Sequence, residues 1–260
     1  MIALELKQAL ARGEGRLGTF IKLSNAAALE ALGQSGLDFA ILDTEHAPSD
    51  QLMLEHMIRA ADCAGLPTIV RVSCASEEHI LKALDLGASG VQLPGLESAA
   101  EVRQALRFTK YAPIGCRGLS FSQRSAGYGA ADRQDYLRRS NAGLINVVHV
   151  ENKAMADQVE ELCGIEELDV LFVGPMDISQ SLGHPGEPEH PEVAETVRRV
   201  LRVCREMGKA SGIFVGTPEA ARRYLAQGVS YVALASDLGF MTWGCRQMRQ
   251  LSSVEQNVRP

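Results

Sequence analysis

The sequence predicts an α/β fold, a single (β/α)8 TIM barrel spanning residues 1–260. Three observations predict it. Short apolar runs recur eight times, each followed by a segment of helical period. The 260 residues lie near the size typical of such a barrel, about 250. Two neighbouring runs, 147–151 and 171–177, each stop at a carboxylate, Glu151 and Asp177. The C-terminal ends of barrel strands are where such groups face an active site. A doubly wound sheet is the runner-up, but its Gly-rich phosphate turn after the first strand is missing. No sequence repeat of roughly 20–50 residues is visible, which argues against a solenoid.

The elements follow in order. Residues 18–23 read as the first strand; Ser24 is placed to cap a helix over 25–32, and Gly33 to end it. The run 37–42 has the unbroken apolar character of a buried parallel strand and closes in Asp43-Thr44-Glu45-His46. Ser49 and Asp50 cap a helix with apolar Leu52, Leu54, Met57, Ile58 and Ala61. Residues 67–72 form the third strand, with Arg71 near its C-terminal end, and 76–86 its helix. Strand four is 90–94, followed by a helix over 97–108. Residues 111–133 then form a long Gly- and Ser-rich loop with Arg117, Arg124, Tyr128 and Gly129, placed where a strand-to-helix loop belongs and so read as functional. A helix over 136–141 precedes strand five, 144–150, and a helical segment over 152–163 precedes strand six, 169–173. Residues 178–191 read as a Gly/Pro/His loop and 192–207 as a strongly periodic helix. Strand seven is 209–215, and Thr217-Pro218 opens a helix reaching residue 227. Strand eight is 229–235. An amphipathic helix over 239–251 and a frayed end complete the chain.

Composition narrows the function. Hydrophobic residues make up 46% of the chain, enough for one large core. The formal net charge is −6 with Lys and Arg dispersed, which argues against nucleic acid as a partner. No apolar run approaches the ~18 residues of a membrane span, and the N-terminus lacks the pattern of a signal peptide. Six cysteines, at 63, 74, 116, 163, 204 and 245, are scattered singly with no Cys-x-x-Cys pair. They read as reduced packing residues of a cytoplasmic protein.

Several residues could carry chemistry. Glu151 and Asp177, at matching positions on neighbouring strands, suit a hard divalent cation that prefers oxygen ligands. Taken singly, Glu151 reads equally as a helix cap and Asp177 as a loop opener. Asp43 and His46 read either as an acid-oriented general base or as a loop contact without chemistry. Arg71 at the end of a buried strand needs an anion: a ligand carboxylate, a developing enolate oxygen, or an internal partner such as Glu45 or Asp85. Asp85 lies late in its helix, where the dipole disfavours a negative charge, so it calls for a partner, either solvent or a neighbouring subunit. The turn Gly174, Pro175, Met176, Asp177 offers backbone N–H groups at 174, 176 and 177 that could cradle a carboxylate. His149 shares the face of Glu151 and so points into the barrel, as a substrate ligand or a core histidine. No lysine falls where a Schiff base would need it, Lys22 being the nearest.

The ordered set Leu42-Asp43-Thr44-Glu45-His46, Arg71, the run 83–88, the run 115–118 with Arg124 and Tyr128-Gly129, Val150-Glu151, the run 173–179 and the run 190–193 resembles the HpcH/HpaI aldolase family. The resemblance covers about residues 15–241. These are class II pyruvate aldolases, which reversibly cleave a 4-hydroxy-2-oxo acid to pyruvate and an aldehyde. Their substrates are of the 4-hydroxy-2-oxoheptanedioate or 2-keto-3-deoxy sugar-acid type. The resemblance implies a barrel whose last helix is swapped between subunits of a homohexamer, a trimer of dimers. It implies a divalent metal (Mg²⁺, Mn²⁺ or Co²⁺) on Glu151 and Asp177, a base dyad of Asp43 and His46, and an enolate-stabilising Arg71. It further implies an inter-subunit acid at Asp85, a pyruvate carboxylate held along Gly174, Pro175, Met176 and Asp177, and Phe214 in the aldehyde pocket. The chain departs from the family pattern at His149, where Gln is usual, at Pro94-Gly95-Leu96, at Met176 and at Phe214. The rival readings are a CoA-thioester lyase of the malyl-CoA or citryl-CoA type and a non-catalytic oligomeric binding barrel. The first would need a basic nucleotide pocket that the sequence does not reveal.

Overall fold

Eight parallel strands close into a barrel in chain order, in a computed structural model that describes residues 2–256. The strands are β1 (Arg16–Ile21), β2 (Phe39–Asp43), β3 (Thr68–Arg71), β4 (Gly90–Leu93), β5 (Ile145–Val150), β6 (Val170–Val173), β7 (Ala210–Val215) and β8 (Tyr231–Ser236). A β1–β8 ladder completes the circle. The expected end at residues 257–260 lies outside the described residues.

Alternation along the strands sorts the side chains into two layers. Phe20, Phe39, Ile41, Ile69, Ile145, Val147, Val170, Phe172 and Tyr231 fill the interior. Leu42, Val70, Val91, Val148, Leu171, Ile213 and Val232 lie beneath the helices. The interior is packed closely enough to select Gly18, where a Cβ would fall 2.3 Å from the Phe39 ring. An N-terminal helix, α1 (Ile2–Ala11), inserts Leu6 and Leu10 into this inner cluster. Lys7 ties α1 to the strand starts, its Nζ donating to Leu144 O at 2.7 Å and lying 3.1 Å from Asp169. One end of the barrel is thereby closed, and the C-terminal strand ends remain as the open mouth.

The helices mostly begin where cap residues place them. Asp50 caps α3 (Gln51–Cys63), Ser76 caps α4 (Glu77–Asp85), Ser98 caps α5 (Ala99–Arg107) and Thr217 caps α11 (Pro218–Ala226). The first expected cap is displaced by one residue. Asn25 accepts from Ala27 N and caps α2 (Ala26–Gly33), while the Ser24 hydroxyl instead donates to Pro48 O. The segment 152–163 divides into α7 (Lys153–Asp157) and α8 (Val159–Cys163) at Gln158, whose side chain turns back to Ala154 O and across to Glu97 O. The expected loop after β6 begins instead with a helix, α9 (Pro175–Ser181), because Pro175 at its first position presets the helical φ. Next come α10 (Pro191–Glu206) and, after β8, α12 (Asp237–Gln256).

The long loop 111–132 is a clear correction. It follows α5 and precedes α6 (Arg133–Gly143), which leads into β5, so it belongs to the helix-to-strand side, the end opposite the mouth. Arg124 anchors it there by donating to Leu86 O, just past α4, and to Asp62 near the end of α3. A second correction concerns the cysteines. Cys163 and Cys204 are buried, whereas Cys63, Cys74, Cys116 and Cys245 are exposed; all six are free. No described helix is long and apolar enough to cross a membrane.

Candidate active site

At the mouth, β2 and β3 place Asp43 directly beside Arg71 in the sheet register. The guanidinium meets the carboxylate as a two-bond fork, Nε to Oδ1 at 2.9 Å and Nη2 to Oδ2 at 2.6 Å. Nη1 of Arg71 lies 3.1 Å from Glu45 Oε2, and the guanidinium carbon sits 4.8 Å above the Phe20 ring. Lys22 adds a second cation, 3.6 Å from Asp43 Oδ2. Burial alone would raise the Asp43 pKa. Arg71, through its bonds and its charge, and the N–H groups of His46 and Glu45 outweigh burial and hold the carboxyl below its ordinary value. Glu45 goes the other way: burial raises its carboxyl and the Arg71 charge offsets only part of that.

The sequence sets Asp43 against the His46 ring; the structure gives Asp43 a different task. Its Oδ1 accepts from the backbone N–H groups of Glu45 and His46, both at 3.1 Å, forming the turn that carries them. The imidazole itself stands at the rim, 64% exposed, with Glu45 Oε2 3.8 Å from its Nε2. Glu45, not Asp43, is the acid beside the ring.

On β5 the buried His149 is locked at both nitrogens. Gln92 Nε2 lies 2.6 Å from His149 Nε2, and His149 Nδ1 lies 2.7 Å from Glu151 Oε2. An amide nitrogen only donates, so ring Nε2 accepts and the proton sits on Nδ1, facing Glu151. Tyr231 completes the chain, its hydroxyl donating to Gln92 Oε1 at 3.2 Å. The other oxygen of Glu151 accepts from Gly95 N at 2.6 Å. Burial works to raise the Glu151 pKa, but the His149 bond, with the Gly95 N–H and the Arg71 charge, leaves it below the ordinary value. This carboxylate is therefore held ionised and fixed in orientation.

Asp177 lies in the first turn of α9. Among the described residues no donor reaches its carboxylate. Gly174 separates it from Glu151: a Cβ built at Gly174 would lie 3.4 Å from Asp177 Oδ2 and 3.4 Å from Glu151 Cβ. A side chain there would fill the floor between the two acids. The expected cradle of N–H groups is smaller than the sequence suggests, because Gly174 N donates to Val150 O at 3.1 Å and Pro175 has no N–H. Met176 and Asp177 supply the two free ones.

A cavity of about 1210 Å³ opens over these groups, with Lys22, His46, Arg71, His149 and Asp177 in its wall. Met176, 54% exposed, and Phe214, 43% exposed, flank the entrance, and Phe214 meets Phe20 edge-on at 5.9 Å. The cavity continues outward between α10 and α11, where Arg198, Arg202, Arg205 and Arg223 line it. This is the basic surface that the sequence does not reveal.

Asp43, His46, Arg71, His149, Glu151, the 174–177 turn and Phe214 thus converge at one mouth. Asp85 does not. It ends α4, whose direction carries it to the opposite end of the barrel, and there it receives a bond from Arg117 Nη2 at 2.7 Å. The sequence offers Glu45 as an internal partner of Arg71, which the structure shows, and Lys22 only as the lysine nearest a Schiff-base position; Gln92, Tyr231 and Gly95 go unnoticed as supports. Gln92 carried a usable signal, a polar side chain in the middle of an otherwise apolar strand.

Known proteins share this architecture. A crystal structure of an HpcH/HpaI aldolase/citrate lyase family protein from Burkholderia cenocepacia J2315 superposes with a TM-score of 0.91 at 35% identity, covering 96% of this chain and 99% of that one. A 2-dehydro-3,6-dideoxy-6-sulfogluconate aldolase of Pseudomonas putida is 34% identical over 89% of this chain and 90% of its own. A 5-keto-4-deoxy-D-glucarate aldolase of Klebsiella pneumoniae is 36% identical over 90% and 91% respectively. With residues 16–242 matching the family as well, the chain belongs to the HpcH/HpaI aldolase/citrate lyase family and is an aldolase, a carbon–carbon lyase.

Proposed function

We propose that the barrel mouth reversibly cleaves a 4-hydroxy-2-oxo acid of the deoxy sugar-acid type to pyruvate and an aldehyde, with a divalent cation held by Glu151 and Asp177. The observation that carries this reading is the pair of acids that flank Gly174: one fixed and ionised by Gly95 and His149, the other without a protein donor among the described residues. Both are oxygen donors, which suits Mg²⁺, Mn²⁺ or Co²⁺. The substrate class follows the names of the Pseudomonas and Klebsiella relatives.

A cation bound there supplies Lewis-acid polarisation of the keto oxygen. The remaining work falls to the chain's own groups. Arg71, held by Asp43 and Glu45, presents positive charge where the keto oxygen gains the electron pair of the breaking C3–C4 bond. His46 takes the C4 hydroxyl proton as that carbon becomes the aldehyde carbonyl, with Glu45 beside the ring. A proton returned to C3 completes pyruvate. The N–H groups of Met176 and Asp177 face the pyruvate carboxylate, and Phe214 and Met176 border the aldehyde. Complete removal of divalent ions should abolish pyruvate release from 4-hydroxy-2-oxo acids, and Mg²⁺, Mn²⁺ or Co²⁺ should restore it. Release that persists unchanged would overturn the metal's role.

We also place this chain in a homo-oligomer, a hexamer in the reading from family resemblance. Leu238, Met241 and Met248 are exposed on one face of α12, an apolar stripe that a neighbouring chain would cover, and Trp243 is exposed on another. In that arrangement Asp85 serves a neighbour's mouth. Light scattering on the intact chain and on one cut before residue 237 measures the assembly and the helix's part in it. A second reading, a CoA-thioester lyase, is favoured by Arg198, Arg202, Arg205 and Arg223, which could meet a nucleotide's phosphates. Turnover of malyl-CoA in place of 4-hydroxy-2-oxo acids would select it.

A further inference from the structure

We propose that His184, His190 and Glu192 form a second metal site, suited to Zn²⁺, where the loop after α9 meets the first turn of α10. One ligand atom from each residue lies within 4.8 Å of the other two. Glu192 Oε2 is 3.1 Å from His184 Nε2, and the two imidazoles stack with centroids 3.4 Å apart and planes 18° apart.

The backbone presets the three positions. His184 N donates to Ser179 O at 2.8 Å, Glu187 N to His184 O at 3.0 Å and His190 N to Glu187 O at 3.0 Å, so the loop closes on itself in successive turns. A proline follows each histidine, and Pro191 opens α10. His190 Nδ1 accepts weakly from Glu192 N at 3.4 Å, which leaves Nε2 open. Residues 183–197 hold four glutamates and no Lys or Arg; Glu195 pairs with Arg198 at 2.7 Å, which leaves Glu187, Glu189 and Glu192 to favour a cation.

Chemistry sets this site apart from the mouth. Two imidazoles and one carboxylate suit a borderline ion such as Zn²⁺, which takes three protein ligands and keeps a fourth position for water. Ligand atoms around tetrahedral zinc stand roughly 3.4 Å apart for bonds of about 2.1 Å, so closure needs a movement of about 1 Å. Side-chain rotation that opens the stack provides it, since all three residues reach solvent. The ion would pin the end of α9, whose first turn carries Asp177, to the start of α10.

The test uses the intact protein saturated with Mg²⁺, titrated with Zn²⁺ by calorimetry and, separately, with Co²⁺ followed by visible absorption. Imidazole-ligated four-coordinate Co²⁺ absorbs strongly, whereas an all-oxygen six-coordinate ion absorbs weakly. One extra Zn²⁺ per chain is expected, with an intense Co²⁺ band. His184→Ala should weaken binding at least tenfold and erase the band without changing aldol cleavage in Mg²⁺. His190→Asn should do the same while keeping a capping side chain, with circular dichroism confirming the fold. Glu151→Gln should retain the extra ion. No extra equivalent in the wild type, or one that survives both histidine changes, overturns the site. So does an equivalent lost only in Glu151→Gln, which would place it at the mouth.

Discussion

Arg71 and Asp43 are joined by two parallel bonds, 2.9 and 2.6 Å, between neighbouring strands, with the Asp43 side chain wholly buried and that of Arg71 10% exposed. Removing one partner strands the other. Breaking a buried pair costs about 3–5 kcal/mol because an uncompensated charge is left behind. Arg71→Ala should therefore lose aldol cleavage and also fall in urea midpoint. Arg71→Ala combined with Asp43→Ala should be less destabilised than the two single changes summed. Additive losses would show that the fork contributes nothing as a pair.

The same fork sets a direction with pH. The Asp43 pKa is lower in the folded chain than its ordinary 3.8. A depressed carboxyl contributes stability that is complete above the ordinary value and is lost as pH falls through the folded value. Wild-type stability should drop steeply below about pH 4. Asp43→Asn should be less stable at neutral pH and show a shallower acid slope in calorimetry.

His149 can matter without touching substrate. It spends both nitrogens on Gln92 and Glu151, so its part is to position the acid. Loss of an outer partner of a metal ligand typically costs 10–100-fold in affinity. His149→Leu should weaken Mg²⁺ binding by about that factor in calorimetry. His149→Gln, which can still bond both neighbours, should recover most of it. Equal affinity in all three proteins would leave His149 as core packing.

The barrel was legible because strand runs and helix periods are local properties, and Asp43, His46, Arg71, Glu151 and Asp177 were legible because strand ends concentrate function. What stayed hidden was pairing. Asp43 lies three residues from His46, so sequence spacing joins them, but the register of β2 against β3 puts Arg71 closer. Gln92 reaches His149 from the neighbouring β4, and Tyr231 of β8 reaches Gln92, relations no spacing encodes. The strand and helix before the 111–132 loop are read correctly from the sequence; the loop's Gly- and Ser-rich composition suggests function, but its place after α5 and before α6 and β5 puts it on the helix-to-strand side.

Gly174 offers a check on the two acids that leaves the fold alone. Its φ of −105° is open to any residue, and an added Cβ would sit at ordinary contact distance from its neighbours. Gly174→Ala should keep the wild-type stability to within about 1 kcal/mol, because the added methyl of this buried residue meets nothing closer than 3.4 Å. The methyl would nevertheless stand between Glu151 and Asp177, and Mg²⁺ affinity should fall at least tenfold. Unchanged affinity would mean that the two carboxylates do not share an ion.

Phe214 separates the two halves of the reaction. It lies on β7 among buried neighbours, yet it is 43% exposed and its ring meets only Phe20 among the described aromatic rings. Truncation should cost little stability, because most of its contact is with the open cavity. Phe214→Ala should lower kcat/KM for aldol addition about tenfold, near the 1–3 kcal/mol that a pocket contact contributes. The deficit should be larger with bulky apolar aldehydes than with small polar ones. Exchange of the pyruvate C3 protons with deuterated solvent needs no aldehyde and should stay within about twofold of wild type, by the same accounting of which contacts are lost. A parallel fall in exchange would move Phe214 to the pyruvate side of the site.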